Sequence, residues 1–412
     1  MKIRKILKRC TAAMLAAAIG MTTLAANVSA ATSGVSIGYT WNSSVNPTIK
    51  NRKNGVTGGV SGQYIKAGEQ ICRFSPSSTS DWAFCIEPAK SMQGASYKDW
   101  YTQNGFTKYD TFDLSDKNKA DSFAYWKSIG GTDGPMAKYL GLVQYYGYSS
   151  HKTGDYYAAT QCLIWELILG YRGHTQAGFG KCSDILWNDF TYPSGGWCTR
   201  SGVEKAYNDI VSNVKDHYKL PSAMRSTKAQ AKDEPNVMKY NAENLRYETK
   251  VTVPTSYVTA SSLAHNFSSL ESKLGSLIKS KFSGTFGKDY GLETEMSGTN
   301  TVYTIWSKER QFTSSGDSSI YVTESIPMQM KNSLKKQETL FANSYYQTCL
   351  LSTRLDPVVG YVGLASYNEP NLTVEKTYTD SSNNQITAAE LNNLLGKTTF
   401  VVSCLYDGKK YY

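Results

Sequence analysis

Three short segments of this sequence carry side chains suited to covalent or hydrogen-bonding chemistry. Trp82-Ala-Phe84-Cys85-Ile86-Glu87-Pro88 sets a thiol between aromatic and aliphatic residues, on an expected strand beside a proline-marked break. Ala158-Ala-Thr160-Gln161-Cys162-Leu-Ile164-Trp165-Glu166 places a carboxamide and an indole on an expected helix. Ser344-Tyr345-Tyr346-Gln347-Thr348-Cys349-Leu350 carries a second carboxamide and another thiol in a late β-region. Each has a bland reading as well: buried cysteines are commonly small core residues, and helical Trp is commonly packing. One chemistry open to these residues is a cysteine enzyme, with Cys85 as nucleophile and His151, His174, His217 or His265 as base. No histidine sits in a recognisable local signature for it. Another is a noncovalent binding module, in which surface tyrosines such as Tyr145, Tyr146 and Tyr148 contact protein or carbohydrate.

The elements that must position these groups follow from periodicity. The first part of the chain, from 31 to about 130, alternates short apolar runs with Gly, Ser, Asn and Thr, and reads as strands and turns. From Pro135 to His217 the period becomes helical. Met136, Leu140, Leu142 and Val143 suit one helix; Asp155 to Tyr171 suits a second, with Asp155 as cap and Gly170 near its end. On that second helix Tyr157, Gln161, Ile164 and Ile168 share a face, with Trp165 and Leu169 beside them. Val203 to Tyr218 suits a third helix, stopped by Pro221. Strand alternation returns between Asn236 and Val362, clearest in Tyr247–Val253 and Asn300–Trp306. A helical block set between β-rich parts is an α+β arrangement. Ser366 to Asn371 reads as a linker, and the forty or so residues after it are too few for a sandwich of roughly 100 residues.

The chain has 412 residues, 30 of them Tyr and 33 Gly, with 19% charged residues and no long charged block. That composition excludes a coiled coil and a solvating disordered chain. Residues 1–30 read as a secretory signal: a basic start, the apolar stretch Ala12–Ala26, then Val28-Ser29-Ala30 as a small-residue cleavage site. Five of the 44 basic residues lie in that leader, which halves the formal excess of +10. The remainder is too slight a bias to call for a nucleic acid or other polyanion. No later segment is apolar enough to insert in a membrane. Cys10 leaves with the leader, so seven cysteines remain for an oxidising compartment, at least one of them unpaired or otherwise used. Cys182 and Cys198 flank an aromatic- and glycine-bearing loop, and a disulfide between them is expected. No cysteine or histidine spacing suits a metal, and no glycine-rich loop suits a nucleotide, so no metal and no cofactor is expected.

Taken together, the Phe84-Cys85-Ile-Glu-Pro segment, the Thr160-Gln161-x-x-Ile164-Trp165-Glu166 helix and Gln347 followed by Asp356-Pro357 resemble the thioester domains of Gram-positive surface adhesins. The resemblance spans most of residues 35–365 and is densest in Ala159-Thr-Gln-Cys-Leu-Ile-Trp-Glu-Leu-Ile-Leu-Gly-Tyr-Arg172. It implies a β-rich, sandwich- or barrel-like thioester domain over 31–368 with the helical insertion at about 135–220. It implies a thioester between Cys85 and Gln347, with Gln161 as a positioning group and Trp165 as packing. Forming that bond requires a thiolate held against a poor electrophile, donors at its oxygen and exclusion of water; Trp82, Phe84, Tyr345 and Tyr346 suit the walls. Cys162 and Cys349 depart from the family's pattern; either could compete for the acyl group or pair with a neighbouring thiol.

Residues 369–412 resemble the start of a collagen-adhesin B-type domain, an Ig-like all-β fold, with Lys376 in the place of its isopeptide lysine. The resemblance further implies single-turnover covalent attachment to a host or extracellular-matrix protein, at a lysine amine. It implies a secreted or cell-wall-attached protein, sortase-linked through a C-terminal part lying beyond this sequence.

Overall fold

The computed structural model describes residues 32–50, 62–90, 92, 98–110, 121–131, 134–259, 265, 267–311, 322–327, 338–352, 356, 358–366 and a few positions after them, chiefly 404–406 and 409–411. The expected leader at 1–30, the boundary at 369 and Lys376 lie outside the described residues.

In chain order, the first strands are β1 (Thr32–Trp41), β2 (Thr48–Ile49), β3 (Ser75–Pro76), β4 (Phe84–Cys85) and β5 (Lys98–Asp110). Helices α1 (Asp121–Ser128), α2 (Pro135–Gln144) and α3 (Gly154–Ile168) follow, then β6 (Phe190–Thr191) and α4 (Arg200–Asp216). Next come α5 (Lys228–Asp233), β7 (Asn236–Asn241), β8 (Arg246–Pro254), α6 (Thr255–Val258), α7 (Leu270–Lys281), β9 (Tyr290–Ser297), β10 (Asn300–Ser307) and β11 (Val322–Pro327). The last described strands are β12 (Glu338–Ala342), β13 (Cys349–Ser352), β14 (Val359–Ser366), β15 (Cys404–Tyr406) and β16 (Lys409–Tyr411). The fold is α+β, and its contacts group into two units: Met1–Lys219 with Gln329–Val358, and Leu220–Met328 with Val359–Tyr412.

In the first unit an antiparallel sheet runs in the order β3-β1-β5-β12-β13-β4. The early and late parts of the chain therefore meet in one sheet, with β13 laid directly beside β4. The helical block starts earlier than its sequence period indicates, because α1 occupies part of the stretch read as strands and turns. That short helix offers few periodic apolar positions; Trp126 and, just past its end, Ile129 are buried.

Helix α3 is the centre of this unit. Every residue from Tyr157 to Ile168 is buried, so the helix is enclosed on all sides. Its cap is Thr153, whose hydroxyl accepts the Tyr156 N–H, and not Asp155. Asp155 instead accepts the Thr199 N–H at 2.8 Å, which ties the start of α3 to the start of α4. Gly170, at φ +75°, turns the chain away after the helix. Between α2 and α3, residues Tyr145–Ser149 form a π-helical turn that crosses α3 closely. A Cβ on Gly147 would stand 2.1 Å from the Thr160 hydroxyl, so only glycine fits there. Helix α4 is amphipathic, burying Val203, Ala206, Tyr207, Ile210 and Val214 on one stripe.

The loop expected to be closed by Cys182–Cys198 is closed otherwise. All six cysteines whose side chains are described are free thiols. The Cys182 sulfur donates to the Asp184 carbonyl, whereas Cys198 is buried just before the Thr199 cap of α4. A buried polar network does the closing. Arg172 Nε donates to Glu166 at 2.8 Å, and its other nitrogens donate to the Phe179 carbonyl and the Tyr207 hydroxyl. Tyr207 donates in turn to Glu166, which also accepts the Leu186 N–H at 3.0 Å. Glu166 thus fixes Leu186 within the loop and, through Arg172 and Tyr207, joins the segment before the loop to α4 after it.

In the second unit the sheet order is β11-β14-β7-β8-β10-β9, with β14 and β7 parallel and the other pairs antiparallel. The two strands read from alternation pair in register from Asn300↔Pro254 to Ser307↔Tyr247. Between β8 and β9 the strand alternation is interrupted by α7, which buries Leu270, Leu274, Leu277 and Ile278. Strands β15 and β16 form a two-stranded antiparallel pair.

Candidate functional site

Strand β4 is the edge of its sheet, and Cys85 lies on it with no exposed surface. On one side the strand pairs with β13: Cys85 stands opposite Cys349 and Phe84 opposite Leu350. Beyond the strands, the Ile86 N–H donates to the Thr348 carbonyl at 3.0 Å. This alternation turns the N–H and C=O of Cys85 away from β13, toward the free edge.

Gln161 takes both of those groups. Its Oε1 accepts the Cys85 N–H at 2.9 Å and its Nε2 donates to the Cys85 carbonyl at 2.8 Å. One side-chain carboxamide on α3 thereby stands in for the next strand of the sheet. A helix residue so fixes the backbone of the thiol-bearing strand from the side that β13 does not reach. Gln161 is buried, so each bond is made away from water.

Trp165 lies one turn further along the same face of α3. Its indole N–H has no oxygen or nitrogen partner among the described residues and is directed at the Cys85 sulfur, where it favours the thiolate. The Glu87 backbone N–H acts in the same sense. Burial outweighs both and pushes the Cys85 thiol up, so the resting group is an un-ionised thiol. No histidine is among the groups acting on it. His217 bonds Tyr146 and the Asp356 carbonyl, His151 stacks on Tyr156, His265 stacks on Tyr257 in the second unit, and His174 lines a surface hollow with Lys138 and Tyr218.

Gln347 is 3% exposed and lies two residues before Cys349, so in the continued register it faces Glu87 and is the diagonal neighbour of Cys85 on the same side of the sheet. Its position is held twice over. Glu87 Oε2 accepts the Thr348 N–H at 3.1 Å and hydroxyl at 2.8 Å. Lys90, 3.6 Å from the same oxygen, donates to the Asn343 carbonyl. The Gln347 carboxamide itself donates to Glu69.

Glu69 is a residue that sequence reasoning missed. Its carboxyl is buried, and burial pushes its pKa up to about 7 against the opposing influence of Lys66 and Gln347. The signal that could have found it is an acidic residue heading the buried run Gln70-Ile71-Cys72. Tyr157 was read only as part of the helix face. Its hydroxyl donates to the Ala83 carbonyl at 2.7 Å and accepts the Phe74 N–H at 3.2 Å, which holds the segments of Cys72 and Cys85 together.

The elevated pKa of Glu69 has a measurable consequence. The unfolded carboxyl titrates near 4.5 and the native one near 7, so the native chain binds the extra proton between those values. Stability is full below about pH 4.5 and falls as pH rises toward 7, by about 3 kcal/mol. Urea midpoints measured from pH 4.5 to 7.5 are expected to decline in the wild type more than in Glu69→Gln. Parallel curves for the two chains would refute the buried carboxyl.

Of the aromatic walls, Phe84 is buried and stacks on Tyr157 with ring centres 4.6 Å apart, and Trp82 stacks on Tyr148 at 5.5 Å. Tyr346 packs on Phe106 at 6.0 Å. Tyr345 is 80% exposed and walls nothing. Cys162 faces Glu166, Cys198 and Asp189, so it is not among the groups at Cys349 and does not compete for Gln347.

No protein-family model and no curated protein matches this chain. Among solved structures the chain is similar to the thioester domain of the Staphylococcus aureus TIE protein, at 14% identity and a TM-score of 0.35, covering 81% of this chain and 98% of that one.

Proposed function

We propose that Cys85 and Gln347 form an internal thioester and that the protein uses it once, as a covalent adhesin. The observation that carries this reading is the convergence on one buried patch of a clamped thiol, a diagonal carboxamide and a carboxyl bonded to that carboxamide. Gln161 fixes the nucleophile and the Glu87–Thr348 bonds fix the electrophile. Holding both supplies the effective concentration that a weak electrophile needs.

In the bond-forming step the Cys85 sulfur attacks the Gln347 amide carbon. The S–C bond forms, the C–N bond breaks, and the thiol proton leaves with the nitrogen as ammonia. Glu69 is the group suited to carry that proton, because a carboxyl titrating near 7 both accepts and donates at neutral pH. The Trp165 indole favours the charged sulfur on the way. Both side chains are nearly closed off from solvent, which keeps water from the acyl carbon. A lysine amine on a partner protein then attacks, forming an amide and returning the Cys85 thiol. Secretion and cell-surface attachment are part of this reading and rest on the leader and the motif resemblance.

The test is the intact mass of the full chain. It is expected to be short by one ammonia, the deficit vanishing in Cys85→Ala and in Gln347→Ala. Methylamine is expected to add to the wild type alone. A wild-type mass equal to that of the sequence, with Cys85 freely alkylated by iodoacetamide in the native state, would leave a noncovalent binding module instead.

A further inference from the structure

We propose that Cys85 and Cys349 are a disulfide site, a second and mutually exclusive fate of the same sulfur. The geometry comes from the sheet. Cys85 and Cys349 are register partners in an antiparallel pair. The Ile86 N–H to Thr348 carbonyl bond makes the flanking position the hydrogen-bonded one. Gln161 occupies the backbone groups of Cys85, so the Cys85–Cys349 position is the non-hydrogen-bonded one. In such a position the Cα atoms approach to about 4.5 Å and the side chains stand side by side on one face. That lies within the roughly 4.4–6.8 Å span that a disulfide bridges without backbone movement.

Both thiols are fully buried, and Cys72 adjoins the pair as a third. Cys349 also sits two residues from Gln347, so one strand delivers both the acyl group and the rival sulfur. The oxidation is an exchange with a small-molecule disulfide such as oxidised glutathione. Two protein thiols and one RSSR give the protein disulfide and two RSH; two electrons pass to the reagent, and both thiol protons leave on the released thiols. A chain held in this form has no free Cys85 sulfur to attack Gln347, and a reducing thiol restores it. That consequence rests on the thioester reading; the disulfide does not.

The experiment refolds full chains from denaturant in oxidised and reduced glutathione, then measures intact mass and maps peptides. Gln347→Ala, which has no acyl group to offer, is expected to lose two hydrogens and to yield the Cys85 peptide joined to the Cys349 peptide. Gln347→Ala combined with Cys349→Ser is expected to show no such link. In the wild type, rising oxidised glutathione during refolding is expected to raise the share of chains with the two-hydrogen deficit at the expense of those with the ammonia deficit, and Cys349→Ser is expected to keep the ammonia deficit throughout. A free Cys85 in oxidised Gln347→Ala, a glutathione adduct on it, or a link from it to Cys72 would overturn the proposal. If no chain ever loses ammonia but the Cys85–Cys349 link forms, the thioester reading fails and the disulfide stands. If ammonia is lost but the link never forms, the reverse holds.

Discussion

Replacing Gln161 by Leu is expected to slow closure of Cys85 onto Gln347 by roughly 100-fold, because misplacing a reacting group by about 1 Å costs that much. Leu keeps the helix and the apolar surroundings but deletes both bonds to Cys85, at 2.9 and 2.8 Å. The edge of β4 then carries an unpaired buried N–H and C=O, each costing about 1–3 kcal/mol. The strand can recover part of that only by shifting toward water, which takes the sulfur away from the acyl carbon. The measurement is the rate at which the ammonia deficit appears after refolding, followed by intact mass. Stability from urea melts serves as the control that the chain is folded. A folded variant that closes at the wild-type rate would remove the clamp from the mechanism.

The second large effect concerns the fold beneath the site. Arg172→Met is expected to cost about 3–5 kcal/mol, since it leaves the Glu166 carboxylate buried without its cation. The Arg172 and Glu166 side chains are 2% and 0% exposed, and they hold the loop after α3 through Phe179, Leu186 and Tyr207. For a unit of this size that corresponds to a fall in Tm of roughly 10 °C. Adding Glu166→Leu in the same chain is expected to return much of the loss, because an apolar pair of similar volume has no charge to strand. Thermal melts of the single and double variants check this. Equal melting of wild type and Arg172→Met would show that the loop is held by its apolar contacts alone.

Several features of this site were legible from residue types. The α3 period placed Tyr157, Gln161, Ile164 and Ile168 on one face, and that face meets β4. The thioester that the motif resemblance implies needs the early and late β-parts to come together, and β12 and β13 do lie between β5 and β4. Other features depend on tertiary partners that no local pattern encodes. Asp155 reads as a cap, yet Thr153 caps α3, because the aspartate is drawn to the N–H of Thr199. Cys182 and Cys198 read as a bridge because they flank one loop, yet both are free thiols, and the loop is held in part by the bond of Leu186 to Glu166. Glu69 looks like any surface acid until the packing around Cys72 and Gln347 buries it. The pairing of Cys85 with Cys349 needed the sheet order itself, since a register between segments so distant leaves no trace in spacing.

That sheet order also sets a chronology. Strand β4 has one strand neighbour, β13, and the two are separated by most of the chain. As the polypeptide leaves the ribosome amino end first, Gln161 arrives soon enough to clasp the Cys85 strand, but β13 and the Gln347 carboxamide are still untranslated. The newborn protein therefore carries an uncovered sulfur through most of its synthesis, and whatever chaperone or oxidant it meets in that interval acts before β13 can cover β4.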